Sequence, residues 1–378
     1  MKIRTLITIC LAALFAGACT IEPHLHLRKV VNTEIVMQAD INTSIKWQVD
    51  WETQWQFQWQ TDLHGALGYS EPTGVRMHVY TLDTDMLPKT HTVYNFHGLE
   101  GTAEVFEGIH NLLFHNNDSE ALQFRSDTDL SDLHATTRII SSGLKTSIPV
   151  KTIAQKSAST KSDLDEIEEP VGMMPDELYT LYDPEHVITD NPADYEYIDG
   201  KYVLRIEGEL RPRTFIYLFQ IKLLNNFGRV SGSMGGAALT GMANMVNMVN
   251  GQTSEKTVSV PMNVYLNSTS DPDILGARVL TFGLPGCNPY DDASVAAAPE
   301  GSHWFVLNVN FATGKYKNIR IDVTDQVRAL PLGGVISLEI DVEDFPPEDI
   351  DPPVDEGGGF RPLIGEWDEE TGYTTITG

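Results

Sequence analysis

The sequence predicts an all-β protein of two tandem sandwich domains, with a short helical insertion in the second. Stretches of apolar–polar alternation recur along most of the chain, and turn signals separate them about every 8–12 residues, the rhythm of a β-sandwich. Helical spacing prevails in two places, residues 235–249 and 324–330. The chain has 378 residues and is 41% hydrophobic, enough to fill two packed cores.

The first element is a leader. Met1, Lys2 and Arg4 form a basic start, Leu6 to Phe15 is an apolar run, and Ala16-Gly17-Ala18 leads into Cys19. The run falls short of the roughly 20 apolar residues that cross a bilayer, while its charge, length and small-residue exit fit a cleaved secretory signal. A cysteine directly after the small residues resembles a bacterial lipobox. The expectation is a signal peptide over 1–18, then a lipidated tether over 19–33, acylated at Cys19 with palmitate among its chains. Plain secretion with a chance cysteine is the competing reading. His24 and His26 have strand spacing without a third ligand, which favours a solvated linker over a metal pair.

The first sandwich is expected over 34–194. Trp47, Val49, Trp51, Thr53, Trp55, Phe57 and Trp59 share one parity and polar residues the other, the pattern of a half-buried strand with a break near Glu52-Thr53. The tryptophans are also four apart, so a helix competes, but Val49 and Phe57 fall off its apolar face. Turned inward, the rings would pack a core. Turned outward, Trp47, Trp51, Trp55 and Trp59 would form a platform for sugar rings. Further strands are expected at 74–82, 90–96, 102–106, 108–115, 123–126 and 136–140, with a hairpin about Glu107-Gly108. Asn116 to Glu120 lacks the alternating ligands and central glycine of an EF-hand loop and reads as a turn. Residues 155–172 form an acidic loop.

The second sandwich is expected over 195–345, with strands at 202–207, 213–224, 256–267, 277–282, 304–311, 319–323 and 335–342. Between them, Ala237, Leu239, Met242, Val246 and Val249 suit a helix over Gly235 to Val249, and Thr324 to Leu330 a shorter one. Residues 346–378 are an acidic, Pro/Gly-rich arm. It ends in Tyr373, Thr374, Thr375 and Ile376, a β-prone segment that either stays unstructured or donates a strand to a neighbour.

Charge and motifs exclude several functions. With 26 basic against 53 acidic residues, the formal charge is −27, the wrong sign for nucleic acid. Once Cys10 leaves with the leader and Cys19 carries lipid, Cys287 stands alone, so neither a disulfide nor a zinc knuckle is expected. The sequence has no Gly-x-Ser-x-Gly, His-Glu-x-x-His, P-loop or dinucleotide fingerprint. The glycine-rich run at 228–236 lacks a Walker lysine. No enzyme activity, cofactor or metal is expected.

Val75-Arg76-Met77-His78-Val79-Tyr80, Gly108 to Glu120, Met174-Pro175-Asp176, Leu280-Thr281-Phe282-Gly283 and Asp322 to Arg328, together with the lipobox, resemble the Bacteroidales fimbrial anchor and accessory lipoproteins, minor subunits of the fimbrillin superfamily. The resemblance spans about residues 30–345. It implies two transthyretin-like sandwiches on a lipid anchor at the outer membrane, surface-exposed. It also implies partnership with fimbrial subunits such as a fimbrillin-like shaft protein, through exchanged strands, in the service of cell adhesion. The family implies no catalytic residues. The competing function is a glycan-binding surface lipoprotein of a polysaccharide-uptake system, which needs the tryptophan platform exposed.

Overall fold

The structure, a computed structural model, describes residues 30–39, 51, 53–125, 130–140, 169–189, 191–198, 201–231, 236–268 and 271–351. Its strands in the first half are β1 (Val30–Ala39), β2 (Gly74–Leu82), β3 (Pro88–His97), β4 (Glu100–Phe106), β5 (Gly108–Asn116), β6 (Leu122–Arg125), β7 (His134–Thr137), β8 (Ile139–Ile140), β9 (Val171–Gly172), β10 (Tyr179–Ile188), β11 (Glu196–Ile198) and β12 (Lys201–Pro212). Those of the second half are β13 (Phe215–Leu224), β14 (Ala237–Ala243), β15 (Met245–Asn247), β16 (Thr257–Met262), β17 (Val264–Asn267), β18 (Asp273–Thr281), β19 (Trp304–Asn310), β20 (Tyr316–Asp322) and β21 (Gly334–Asp341). Among the described residues, the short helices α1 (Thr61–His64), α2 (Asp292–Ala296), α3 (Thr324–Ala329) and α4 (Pro347–Ile350) accompany them.

The all-β expectation holds, and the second body carries the short helices α2 and α3. The first sandwich follows the order β3-β2-β5-β10-β12-β1-β4, with β11 beside β12. The path turns a corner where β10 meets β12 through only Tyr179↔Pro212 and Thr180↔Arg211. Val75, Met77, Leu112 and Phe114 on one layer close against Ala103, Val105, Ile206 and Leu210 on the other. These positions alternate along their strands, as one buried sheet face requires.

The second sandwich stacks β17-β18-β13-β21 on β20-β19-β14-β16-β9-β8. Phe219 of β13 and Phe305 of β19 stack across the layers with ring centroids 4.5 Å apart, and Cys287 is buried in the same core. A third small sheet, β15-β7-β6, lies between the bodies. There Tyr80, Leu113, Leu133, Ala135, Val246 and Phe282 form a shared apolar cluster.

Several expectations are corrected. Of the segment Gly235 to Val249, Gly235 lies outside the described residues and 236–249 is strand, not helix, apart from turns. A register shift between Leu239 and Met242 adds one residue, so the core-facing Ala237, Leu239 and Met242 step by two and then three and imitate helical spacing. Gly241 permits this bulge: its φ is +76°, and a Cβ there would lie 2.5 Å from the Ser302 carbonyl oxygen.

Glu107-Gly108 is not a hairpin. β4 pairs with β1, while β5 pairs with β2 and β10, so the chain crosses between layers there. The boundary moves from 194 to Arg213-Thr214, because β12 lies in the first sheet system and β13 in the second. The end of the acidic loop is not free either. Val171 pairs with Ser259, and Glu169 Oε2 accepts from Ser259 Oγ at 2.7 Å. Likewise the arm begins later than 346, since Ile350 is buried in the second core and Lys317 Nζ reaches Asp349 at 2.8 Å.

Candidate functional site

The tryptophan row does not form the expected strand: from Trp51 on it is a helical turn followed by irregular chain. The reason lies in β13, whose run Phe215-Ile216-Tyr217-Leu218-Phe219 is buried on both faces. One face belongs to the second core. The other, with Ile216, Leu218, Leu280 and Val335, is covered by Trp51, Trp55, Leu67 and Tyr69. A sheet buried on both sides needs such a cover, and residues 51–70 supply it as a strap laid over the second sandwich.

The strap is fastened by specific contacts. The Gln220 side chain accepts from the Gln56 N–H and donates to the Gln54 carbonyl, both at 2.8 Å. Phe57 sits on Gly276, where a Cβ would meet its ring at 2.5 Å. Trp59 Nε1 donates to the Gly65 carbonyl at 2.9 Å and its ring stands edge-on to Tyr265. Trp51, Trp55 and Trp59 are thus half-buried by the contacts that fasten the strap. Trp47 lies outside the described residues, as do Cys19 and Tyr373, Thr374, Thr375 and Ile376.

Between the two sandwiches is a cleft of about 290 Å³ lined by Ser70, Asn116, Asp118, Asp176, Glu177 and Arg278. Its polar groups answer one another. Asp176 Oδ2 accepts the N–H groups of Glu120 and Ala121 at 2.6 Å. The N–H and hydroxyl of Thr73 and the Asn116 amide hold the Asp118 carboxyl below its usual range against the opposing effect of burial. For Glu177, burial dominates and pushes the carboxyl up, despite the pull of the Ser70 N–H and Arg278. The cleft is therefore a joint. Among the described residues, no three His, Cys, Asp or Glu side chains are arranged for a metal ion.

Sequence reasoning missed a histidine ladder across β3, β2 and β5. His115 Nδ1 donates to the Asn116 carbonyl at 2.7 Å. In the neutral ring, its Nε2 must then accept from His78 Nε2, 3.1 Å away, and His78 Nδ1 accepts from His91 Nε2 at 3.0 Å. Burial, with help from His115 and His91, brings His78 down to about 3. Burial brings His115 to about 4, opposed by its bond to the Asn116 carbonyl. The ladder pins the outer strand β3 to the sheet. Cross-strand register, invisible in a linear sequence, is what assembles it.

Open sheet edges are the feature suited to binding another chain. Among the described residues, β3 has no strand partner but β2 and β4 none but β1, and both strands are largely exposed, although the Tyr94 hydroxyl of β3 donates to the Glu104 carbonyl of β4 across the two edges. The edge β21 is guarded instead. The side chain of Gln326 on α3 accepts the Ser337 N–H at 3.1 Å and donates to the Ser337 carbonyl at 3.4 Å, occupying the groups an added strand would use.

A family model described as a domain of unknown function (DUF5119) matches residues 51–263, more than half of the chain. That segment starts at the strap, takes in β2 through β16 and crosses both sandwiches. No curated protein matches the sequence. Among solved structures, the chain is similar to a Bacteroides ovatus protein described as a candidate adhesin, at TM-score 0.46 and 14% identity, over 83% of this chain and 93% of that one. It is similar to the fimbrial anchor protein Mfa2 from Porphyromonas gingivalis at TM-score 0.38 and 11% identity, over 83% and 91%. A Bacteroides thetaiotaomicron protein described as a candidate polysaccharide-binding protein gives TM-score 0.42 and 7% identity, over 82% and 91%.

Proposed function

The chain belongs to the DUF5119 family, and on that footing we propose that it is a lipid-anchored outer-membrane subunit that anchors or helps assemble fimbriae and so supports cell adhesion. The observation that carries the reading is the pair of long outer strands, β3 and β4, which keep one edge without a strand partner among the described residues. Such an edge recognises a neighbouring chain through main-chain hydrogen bonds, which need no catalytic motif. The lipobox at Cys19 supplies the attachment, and the acidic, motif-poor sequence suits a surface role without chemistry.

Cells carrying Cys19→Ala provide the test. Shed or shortened fimbriae, with the protein released to the medium, are expected. Full-length fimbriae still attached to those cells would contradict the proposal.

A further inference from the structure

One end of the first sandwich collects exposed apolar side chains. β5 begins there, β10 ends there through Val187↔Ile109, and β2 ends there because Thr81 lies opposite His110. The β2–β3 turn carries Met86 and Leu87 to the same end, since Leu82 pairs with Pro88. β4 finishes there at Phe106. Leu87 is 61% exposed, Val187 60% and Phe106 51%, and Met86, Ile109 and Tyr197 are exposed as well. Of the large apolar residues exposed on the described surface, nearly half meet at this one end. The second sandwich leaves from the opposite end of β12, at Pro212.

The same end receives the N-terminal chain. Val30, the first residue of β1, pairs with Phe106. From Cys19 to Val30 the chain advances eleven positions, which span at most roughly 40 Å when fully extended. Whatever holds Cys19 therefore lies within roughly 40 Å of the Val30–Phe106 pair, a reach that allows this end to meet it.

We propose that this end, presenting Met86, Leu87, Phe106, Ile109, Val187 and Tyr197, rests on the lipid surface that carries the anchor and points the second sandwich away from it. The inference rests on the lipidation of Cys19 proposed above. Scattered exposed apolar residues are ordinary, whereas a cluster marks a contact surface. Aliphatic side chains with a tyrosine suit the boundary between headgroups and acyl chains. Asp85, Glu107 and Glu185 stand around the patch together with Lys89, and Arg28 and Lys29 directly precede Val30 in the sequence, so charges of both signs border the apolar side chains and a zwitterionic surface isolates their contribution.

The test uses the mature chain coupled through the Cys19 thiol to a maleimide phospholipid in phosphatidylcholine vesicles; the other thiol, Cys287, is buried. Amide hydrogen exchange is compared with the uncoupled protein. Slowed exchange in the Asp83–Leu87 turn and at Glu107–Ile109, with no change in the Ala312–Lys315 turn, is expected. The combined variant Leu87→Asp, Phe106→Asp, Val187→Asp should lose that slowing while staying coupled, and its melting curve checks that it is folded. Unchanged exchange at both turns, or equal slowing at both, would overturn the proposal. Native lipidation is read separately, from the mass of the N-terminal peptide of membrane-purified protein. An unmodified Cys19 there would defeat the anchoring reading, whatever the coupled protein does.

Discussion

Arg278, on β18 of the second sandwich, lies with its Nη2 3.2 Å from Oε1 of Glu177, in the segment that leads into β10 of the first. The side chains are only 15% and 17% exposed. Arg278 also donates through Nε to the Leu67 carbonyl at 2.8 Å, so one guanidinium ties the strap and both sandwiches together. Burial of both charges costs free energy, and removing one partner strands the other. Arg278→Met should destabilise the protein by about 3 kcal/mol, and adding Glu177→Gln should recover much of that loss. Urea melts of the single and double variants check it, and a single variant as stable as the parent would refute it.

The strap predicts a packing cost rather than a ligand effect. Phe57→Ala removes the ring that covers Gly276 and should cost about 3 kcal/mol. Gly276→Val should evict that ring, loosen the strap and red-shift the tryptophan emission. Polysaccharides should leave the emission of the parent protein unchanged. A saturable spectral response to a glycan would instead favour the platform reading of Trp51, Trp55 and Trp59.

Acid should weaken the first sandwich through the histidine ladder. In the folded protein His78 titrates at about 3 and His115 at about 4, below the ordinary value near 6.5. The unfolded chain therefore binds more protons in the window between those values. Stability is full above pH 6.5 and falls as the pH drops toward 3, each buried histidine adding a slope of up to about 1.4 kcal/mol per pH unit. Chemical denaturation between pH 7 and pH 4 measures the slope. His78→Phe should flatten it, and an unchanged slope would dismiss the ladder as its source.

Gln326 should keep β21 from pairing with other chains. Gln326→Ala removes two hydrogen bonds to Ser337, costing about 1 kcal/mol, and exposes the edge groups. Light scattering should then detect self-association that rises with concentration. Adding Ser337→Pro, which withdraws the N–H from that edge, should suppress it.

Much of this architecture was legible because period-two patterning reports a buried sheet face. β2, β3, β13, β19, β20 and β21 fall where alternation or apolar runs place them, and α3 falls at Thr324 as its spacing indicates. The errors share one cause, which is that tertiary partners override local pattern. Trp51, Trp55 and Phe57 alternate as a strand would, yet the outer face of β13 recruits them as a cover. The bulge at Gly241 makes Leu239 and Met242 look helical. Pairing was likewise hidden: β4 and β5 are neighbours in sequence but lie in different layers, and the His78–His91–His115 ladder exists only through the register of three strands.

The partners the protein holds in its native membrane test the fimbrial role most directly. Cross-linking intact cells, solubilising them in detergent, recovering the protein and identifying its partners by mass spectrometry gives that answer. A fimbrillin-like shaft subunit is predicted, recovered in smaller amount when Tyr373 to Gly378 is deleted. A transporter and glycan-binding lipoproteins, with no fimbrial subunit, would contradict the account and move the protein to carbohydrate capture.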